Sequence, residues 1–234
     1  MKTLLTFWAS LWFCCAGAAY ADTPPITTFV QQLFPHGVPQ AQASNYSSAD
    51  TAVLLTLLAD SKQQDLHANI LETLGYIGDE TTVAPIVAYI QGGRGVISAA
   101  QFRAKSSGLL ALGYILNRNP NSSALLYLTD SLDHQTWQAR DIAWTTAFFP
   151  DLISRDVQLV RQAAVGMTLS GSPQAAAALK RKLSPQVSDN PDLQPASNSM
   201  LDEMLKANQT INAHGLDNYQ STLSGDSLKL KPVE

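Results

Sequence analysis

Cysteine is scarce in this chain: 234 residues hold two, Cys14 and Cys15, side by side. Both fall in the opening segment MKTLLTFWASLWFCCAGAAYA, which combines Lys2, an apolar stretch over residues 4–15 and a small-residue ending at Ala19-Tyr20-Ala21. That pattern predicts a secretory signal peptide over residues 1–21, cut before Asp22. The expected destination is the periplasm or the outside of the cell. Once the segment is removed, no cysteine is left for a disulfide, a thiol nucleophile or a thiolate metal site. The apolar stretch is shorter than the ~20 residues a spanning helix requires, and no later run is longer. No stable membrane insertion is expected after cleavage.

Charge is thin as well, at 15% of residues. Without Lys2 the remaining chain has 14 basic residues against 19 acidic ones, a net charge of −5. A mildly acidic chain with no basic cluster is poorly suited to phosphate backbones or anionic lipid, so nucleic acid is not expected as a partner. The four histidines, His36, His67, His134 and His214, stand in no metal-ligand spacing such as HExxH. There is no GxSxG elbow and no SxxK with its usual companions. Gly92-Gly93-Arg94-Gly95 lacks the Lys-Ser/Thr of a phosphate-cradling loop and reads as a connector. No catalytic residue, metal or cofactor is assigned.

What the chain does have is an internal repetition. LGYI occurs at residues 74–77 and again at 112–115, 38 residues later, and the match continues from VAPIVAYI (83–90) into NSSALLYL (121–128). Tyr89 falls on Tyr127, Ile90 on Leu128 and Val87 on Leu125. A fixed period seen in two separate segments marks a repeat architecture. Each unit reads as two helices with a break between them. Leu66, Ile70, Leu74 and Ile77 recur at spacings of four, four and three, the stripe of a helix with one buried face. Gly78-Asp79 is the expected stop, with glycine in the left-handed region and aspartate capping the second helix. That second helix is expected over 82–91, with Pro85 in its first turn. The next unit has a longer first helix over 97–116 and a break at 117–120. Gly75 and Gly113 lie inside helical stripes, where each costs ~1 kcal/mol against alanine. Close approach of a neighbouring helix is the expected compensation.

A third unit runs from 160 to 183, broken at Gly171-Ser172-Pro173. Between the second and third units, Trp137, Ile142 and Trp144 predict a buried helix over 135–149. The phrases LGYIGDETTVAPIVAYI, ALGYI, VRQAA and SPQAAAALKRKL resemble the short bacterial HEAT-like repeats, also called PBS-lyase HEAT-like repeats, over about residues 64–184. The resemblance implies an all-α fold, a solenoid of paired antiparallel helices used mainly to bind other proteins, with some members attached to bilin-lyase chemistry. It also suggests a structural, paired role for Arg161. The chain departs from that pattern in the long first helix of unit two and in the missing Gly-Asp break after units two and three.

The other segments are set by their place around the repeats. Residues 22–47 form an N-terminal segment with a short helix, and the repeat domain spans 48–184. A linker covers 185–198, a candidate capping helix 199–208, and a polar tail expected to be disordered 209–234. On the inner wall of such a stack Tyr89 and Tyr127 recur at the unit period, as half-buried groove fillers or as a contact platform. Glu80, Asp130 and Asp133 would give acidic rim contacts, and Arg94 and Arg140 basic ones. The sequence thus points to an exported, non-enzymatic module that binds a protein partner. An enzyme or enzyme subunit of lyase-like chemistry, or a structural envelope component, stands as the alternative.

Overall fold

The computed structural model describes residues 23–35, 37–119, 122–149, 151–188 and 194–226, so the expected signal peptide, His36 and the last eight residues lie outside the described residues. The described chain is mostly helical, with twelve α-helices and two three-residue strands. Two short helices, α1 (Ile26–Phe29) and α2 (Gln40–Ala43), lead into α3 (Thr51–Ala59). The first unit consists of α4 (His67–Ile77) and α5 (Glu80–Gln91), the second of α6 (Ala99–Arg118) and α7 (Ser122–Asp130). After α8 (His134–Ala139) the third unit is α9 (Leu152–Leu169) and α10 (Pro173–Ser188). The chain closes with α11 (Gln194–His214) and α12 (Leu216–Asp226).

Local chemistry sets most of these boundaries. Asp79 caps α5 by accepting from the Thr81 amide at 2.9 Å. Ser98 and Gln101 form a reciprocal capping box at the start of α6. Asp151 caps α9, and Pro173 opens α10, where its missing N–H would be unpaired anyway. Two expectations need correction at the first break. Gly78 is extended, with φ −73° and ψ 172°, not left-handed. What requires glycine there is space, since an added Cβ would lie 2.5 Å from the Leu74 carbonyl oxygen and would also run into Thr82. Because Asp79 starts α5 two residues early, Pro85 sits in the second turn and forgoes the amide bond to Thr81.

The helices form two rows. In the first, α6 lies between α4 and α9; in the second, α7 lies between α5 and α10. The repeated phrase is the seam of the first row. Tyr76 stacks on Tyr114 with ring centroids 4.4 Å apart and planes at 20°. Gly75 leaves room for Ala111, whose Cα lies 2.7 Å from where a Cβ would stand, and Gly113 faces the backbone of Gly166 on α9. The close approach expected of both glycines is therefore present. In the second row, burial carries the repeat into the third unit. Ile86, Ala124 and Ala175 are buried, as are Ile90, Leu128 and Leu179, while Ala88, Leu126 and Ala177 are exposed.

Three stretches differ from the expectation. Residues 135–149 are not one helix. α8 stops at Ala139, Asp141 takes a positive φ of 48°, and Trp144–Thr146 (β2) pairs in parallel with Gly95–Ile97 (β1). The aromatic and β-branched residues of both segments favour the extended form once a partner strand is at hand. The seven-residue spacing of Trp137 and Trp144 imitated a helical face, yet both rings are fully buried. The tail is the second difference. The expected capping helix over 199–208 is the middle of α11, and 209–226 is helical rather than disordered, with Leu201, Ile211 and Leu216 buried. Third, Arg161 is exposed; the buried arginine of α9 is Arg155, which pairs with Asp156 at 2.7 Å.

Candidate functional site at the ends of the second helices

The last carbonyls of a helix have no partner within it, and they carry the negative end of its dipole. In α5 that need is met by a cation from the next unit. Lys105 of α6 is 4% exposed and donates from Nζ to the carbonyls of Tyr89 (2.7 Å), Ile90 (3.1 Å) and Gly92 (2.6 Å). The same ammonium lies 5.1 Å from the Tyr89 ring centre and 4.9 Å from that of Trp144. The Trp144 indole N–H donates to the Ile90 carbonyl at 3.1 Å. Burial pushes Lys105 down to about 8, which leaves it a cation at neutral pH, with all three N–H groups used.

The end of α7 repeats this chemistry with other residues. The Arg140 guanidinium sits 4.2 Å from the Tyr127 ring centre and 4.4 Å from that of Trp137. It donates to Ser131 Oγ at 2.9 Å and to the Tyr127 carbonyl at 3.4 Å. The Trp137 indole N–H donates to the Ser131 carbonyl at 2.9 Å. Each end thus carries a tyrosine just before a buried aliphatic residue, a cation on its ring, and a tryptophan N–H on a terminal carbonyl. The segment between the second and third units supplies both tryptophans, so it serves α5 of the first unit as well as α7 of the second. Gln91 joins the two ends through its amide, 3.4 Å from Tyr127 Oη.

His67 completes the first end and is buried. Nε2 lies 3.1 Å from the Asp60 carbonyl, which can only accept, so the proton belongs on Nε2. Nδ1 then accepts from the Tyr89 hydroxyl at 2.9 Å. Burial lowers the His67 pKa, against a smaller opposing effect of the Asp60 carbonyl, and holds the ring neutral. The Tyr89 phenol is pushed up to about 12 by burial, and burial also raises Tyr127. Beside these groups lies an open cavity of about 290 Å³, lined by Leu58, Ser61, Gln64, His67, Tyr89 and Gln101 among others.

The structure brings together Tyr89, Tyr127 and Arg140 among the residues singled out from the sequence. Both tyrosines are half-buried, with one side of each ring against a cation. Asp133 is close by; it caps α8 through the Gln135 amide at 2.9 Å and stands 3.9 Å from Lys182. Asp130 is exposed at the end of α7, and Arg94 is exposed before β1. Glu80 is at the other end of α5, roughly 14 Å from Tyr89 at 1.5 Å per residue, where it accepts from Ser123 Oγ. Sequence reasoning missed Lys105 and Gln91. Lys105 had a signal: it continues the apolar stripe Phe102, Leu109 and Leu112 at spacings of three, four and three, a place where a cation must find partners. The chain matches no family model, no curated protein and no solved structure.

Proposed function

We propose that this chain is an exported, non-enzymatic scaffold in which HEAT-like helix pairs stack as a solenoid and a protein partner lies along the row of second helices. The observation that carries this reading is Leu126, an apolar side chain 63% exposed on the middle helix of that row. It is flanked at equivalent positions by the exposed Ala88 and Ala177, which present a low apolar ridge. Tyr89 and Tyr127 sit beside that ridge, already fixed by Lys105 and Arg140, so binding would cost little side-chain entropy. Asp130, Asp133, Arg94 and Arg140 supply charge around it, and the pattern of residues 1–21 supports export.

Leu126→Asp tests the reading without disturbing the core. A photo-crosslinking residue at position 126, in chain recovered from the periplasmic fraction or the medium, should trap one discrete partner. Leu126→Asp should cut capture of that partner at least tenfold while leaving the helical circular-dichroism signal intact. Equal capture by Leu126→Asp, or crosslinks scattered over many proteins, would refute it. Recovery of the chain from the cytoplasm with residues 1–21 still attached would refute export. The lyase-like alternative draws on His67 and Tyr89 at the cavity wall; there, proton transfer would require breaking a bond that His67 now makes.

A further inference from the structure

The last helix sits on the other row. α12 reaches back to α4, where the Gln220 amide donates to Tyr76 Oη at 3.4 Å. Leu216, Tyr219 and Gln220, at i, i+3 and i+4, turn toward the body: Leu216 is 3% exposed, and Tyr219 packs on the core. Through Gln220 the helix reaches the edge of the Tyr76–Tyr114 stack, whose two residues are 7% and 8% exposed. α12 therefore packs mainly along α11 and touches the first LGYI copy at Tyr76.

The segment has little helical tendency of its own. LDNYQSTLSGD holds asparagine, threonine, two serines and a glycine in eleven residues, and a helix of that length is marginal in water without tertiary support. Its order comes from its seat. A single residue, Gly215, joins it to α11, with φ +85° and, among the described residues, no heavy atom within 4 Å of an added Cβ. Glycine in open space can take up a large change of φ and ψ at small cost.

We infer that the seat of α12, between α11 and Tyr76 of α4, is an exchange site, in which α12 of a second copy replaces the chain's own and the two copies become a swapped pair. The seat is identical in every copy, so the fit is guaranteed, and only the hinge must change. A helix tethered in this way has an effective concentration on the order of millimolar at its own seat, so exchange populates near millimolar chain. The site belongs to the first row of helices, so its failure leaves the partner-binding reading of the second row untouched.

Cysteine trapping in the full chain, with Cys14 and Cys15 replaced by serine, tests the exchange. One variant carries Tyr76→Cys, another Gln220→Cys, and a third carries both. Mixed at about 0.5 mM under mild oxidation, the two single variants are expected to give a disulfide-linked heterodimer, and the double variant an internal bond when dilute. An internal bond with no heterodimer overturns the exchange; neither bond overturns the seat itself. Because Tyr76→Cys opens the tyrosine stack, a second measurement leaves the body unchanged. A synthetic peptide of residues 215–226, added at several millimolar to the wild-type chain, should speed amide exchange over 217–222 at least threefold while that of α6 stays constant. Unchanged exchange over 217–222 overturns the proposal.

Discussion

Three glycines inside helices test the packing of the first row, because alanine at each gains the same ~1 kcal/mol of helix propensity. Whatever separates the three variants must come from the atoms that the new Cβ meets. At Gly108 it would meet Ile90 Cγ1 at 2.9 Å and Cδ1 at 3.2 Å, side-chain atoms rather than the backbone of a neighbouring helix. At Gly75 it would meet Ala111 Cα at 2.7 Å, which is backbone of the neighbouring helix. At Gly113 it would overlap the Gly166 backbone, and the reverse substitution puts a Cβ 2.5 Å from the Leu109 carbonyl oxygen. Overpacking costs ~1–3 kcal/mol where side chains can adjust, and more where whole helices must part. Separating two helices by about 1 Å also forfeits dispersion along the full contact. Gly108→Ala should accordingly fall within about 1 kcal/mol of wild type, Gly75→Ala lose about 2–3 kcal/mol, and Gly113→Ala lose more than ~3 kcal/mol. Urea unfolding followed by circular dichroism at 222 nm measures all three. A Gly113→Ala chain as stable as Gly108→Ala would refute the contact between α6 and α9 on which the first row depends.

The helix ends and the core give further expected outcomes. Lys105→Met removes the donor from three carbonyls while Trp144 still serves Ile90, so a loss of about 2–4 kcal/mol is expected in the same assay, and a loss under ~1 kcal/mol would mean that water replaces the ammonium. His67 has its folded pKa below the usual 6.5, so the unfolded chain takes up the proton first. Its contribution is present above pH 6.5 and is lost as pH falls through the folded value, and in His67→Gln this part of the pH dependence of the urea midpoint should vanish. Arg155 and Asp156 form a buried pair in which Asp156 Oδ2 has no hydrogen-bond partner among the described residues. Arg155→Leu or Asp156→Leu alone should cost about 3–5 kcal/mol, and the double variant well below the sum; strict additivity would show that the pair does not interact.

The sequence by itself determined the helical character, the breaks at Gly78-Asp79 and Gly171-Ser172, and the close contacts of Gly75 and Gly113. Those rest on short-range physics: apolar spacing, capping residues, and the cost of a helical glycine that only a neighbour can offset. The helix pair broken at Gly171-Ser172-Pro173 was legible for the same reason. Tertiary structure alone decided the rest. Trp144 became a strand residue because β1 lay alongside it, with Gly95 as its partner from the far side of α6 and α7, and a seven-residue spacing cannot register that partner. Residues 209–226 are polar enough to read as disordered, yet three inward side chains and packing on α11, with one bond to α4, order α12. The site shows the same division. Tyr89, Tyr127 and Arg140 could be picked out by period and residue type, whereas Lys105 and Trp144 converge on the end of α5 only after two helices and the β1–β2 pair have come together. A helix's unpaired carbonyls are local facts; which distant cation or indole satisfies them depends on the path of the chain in space.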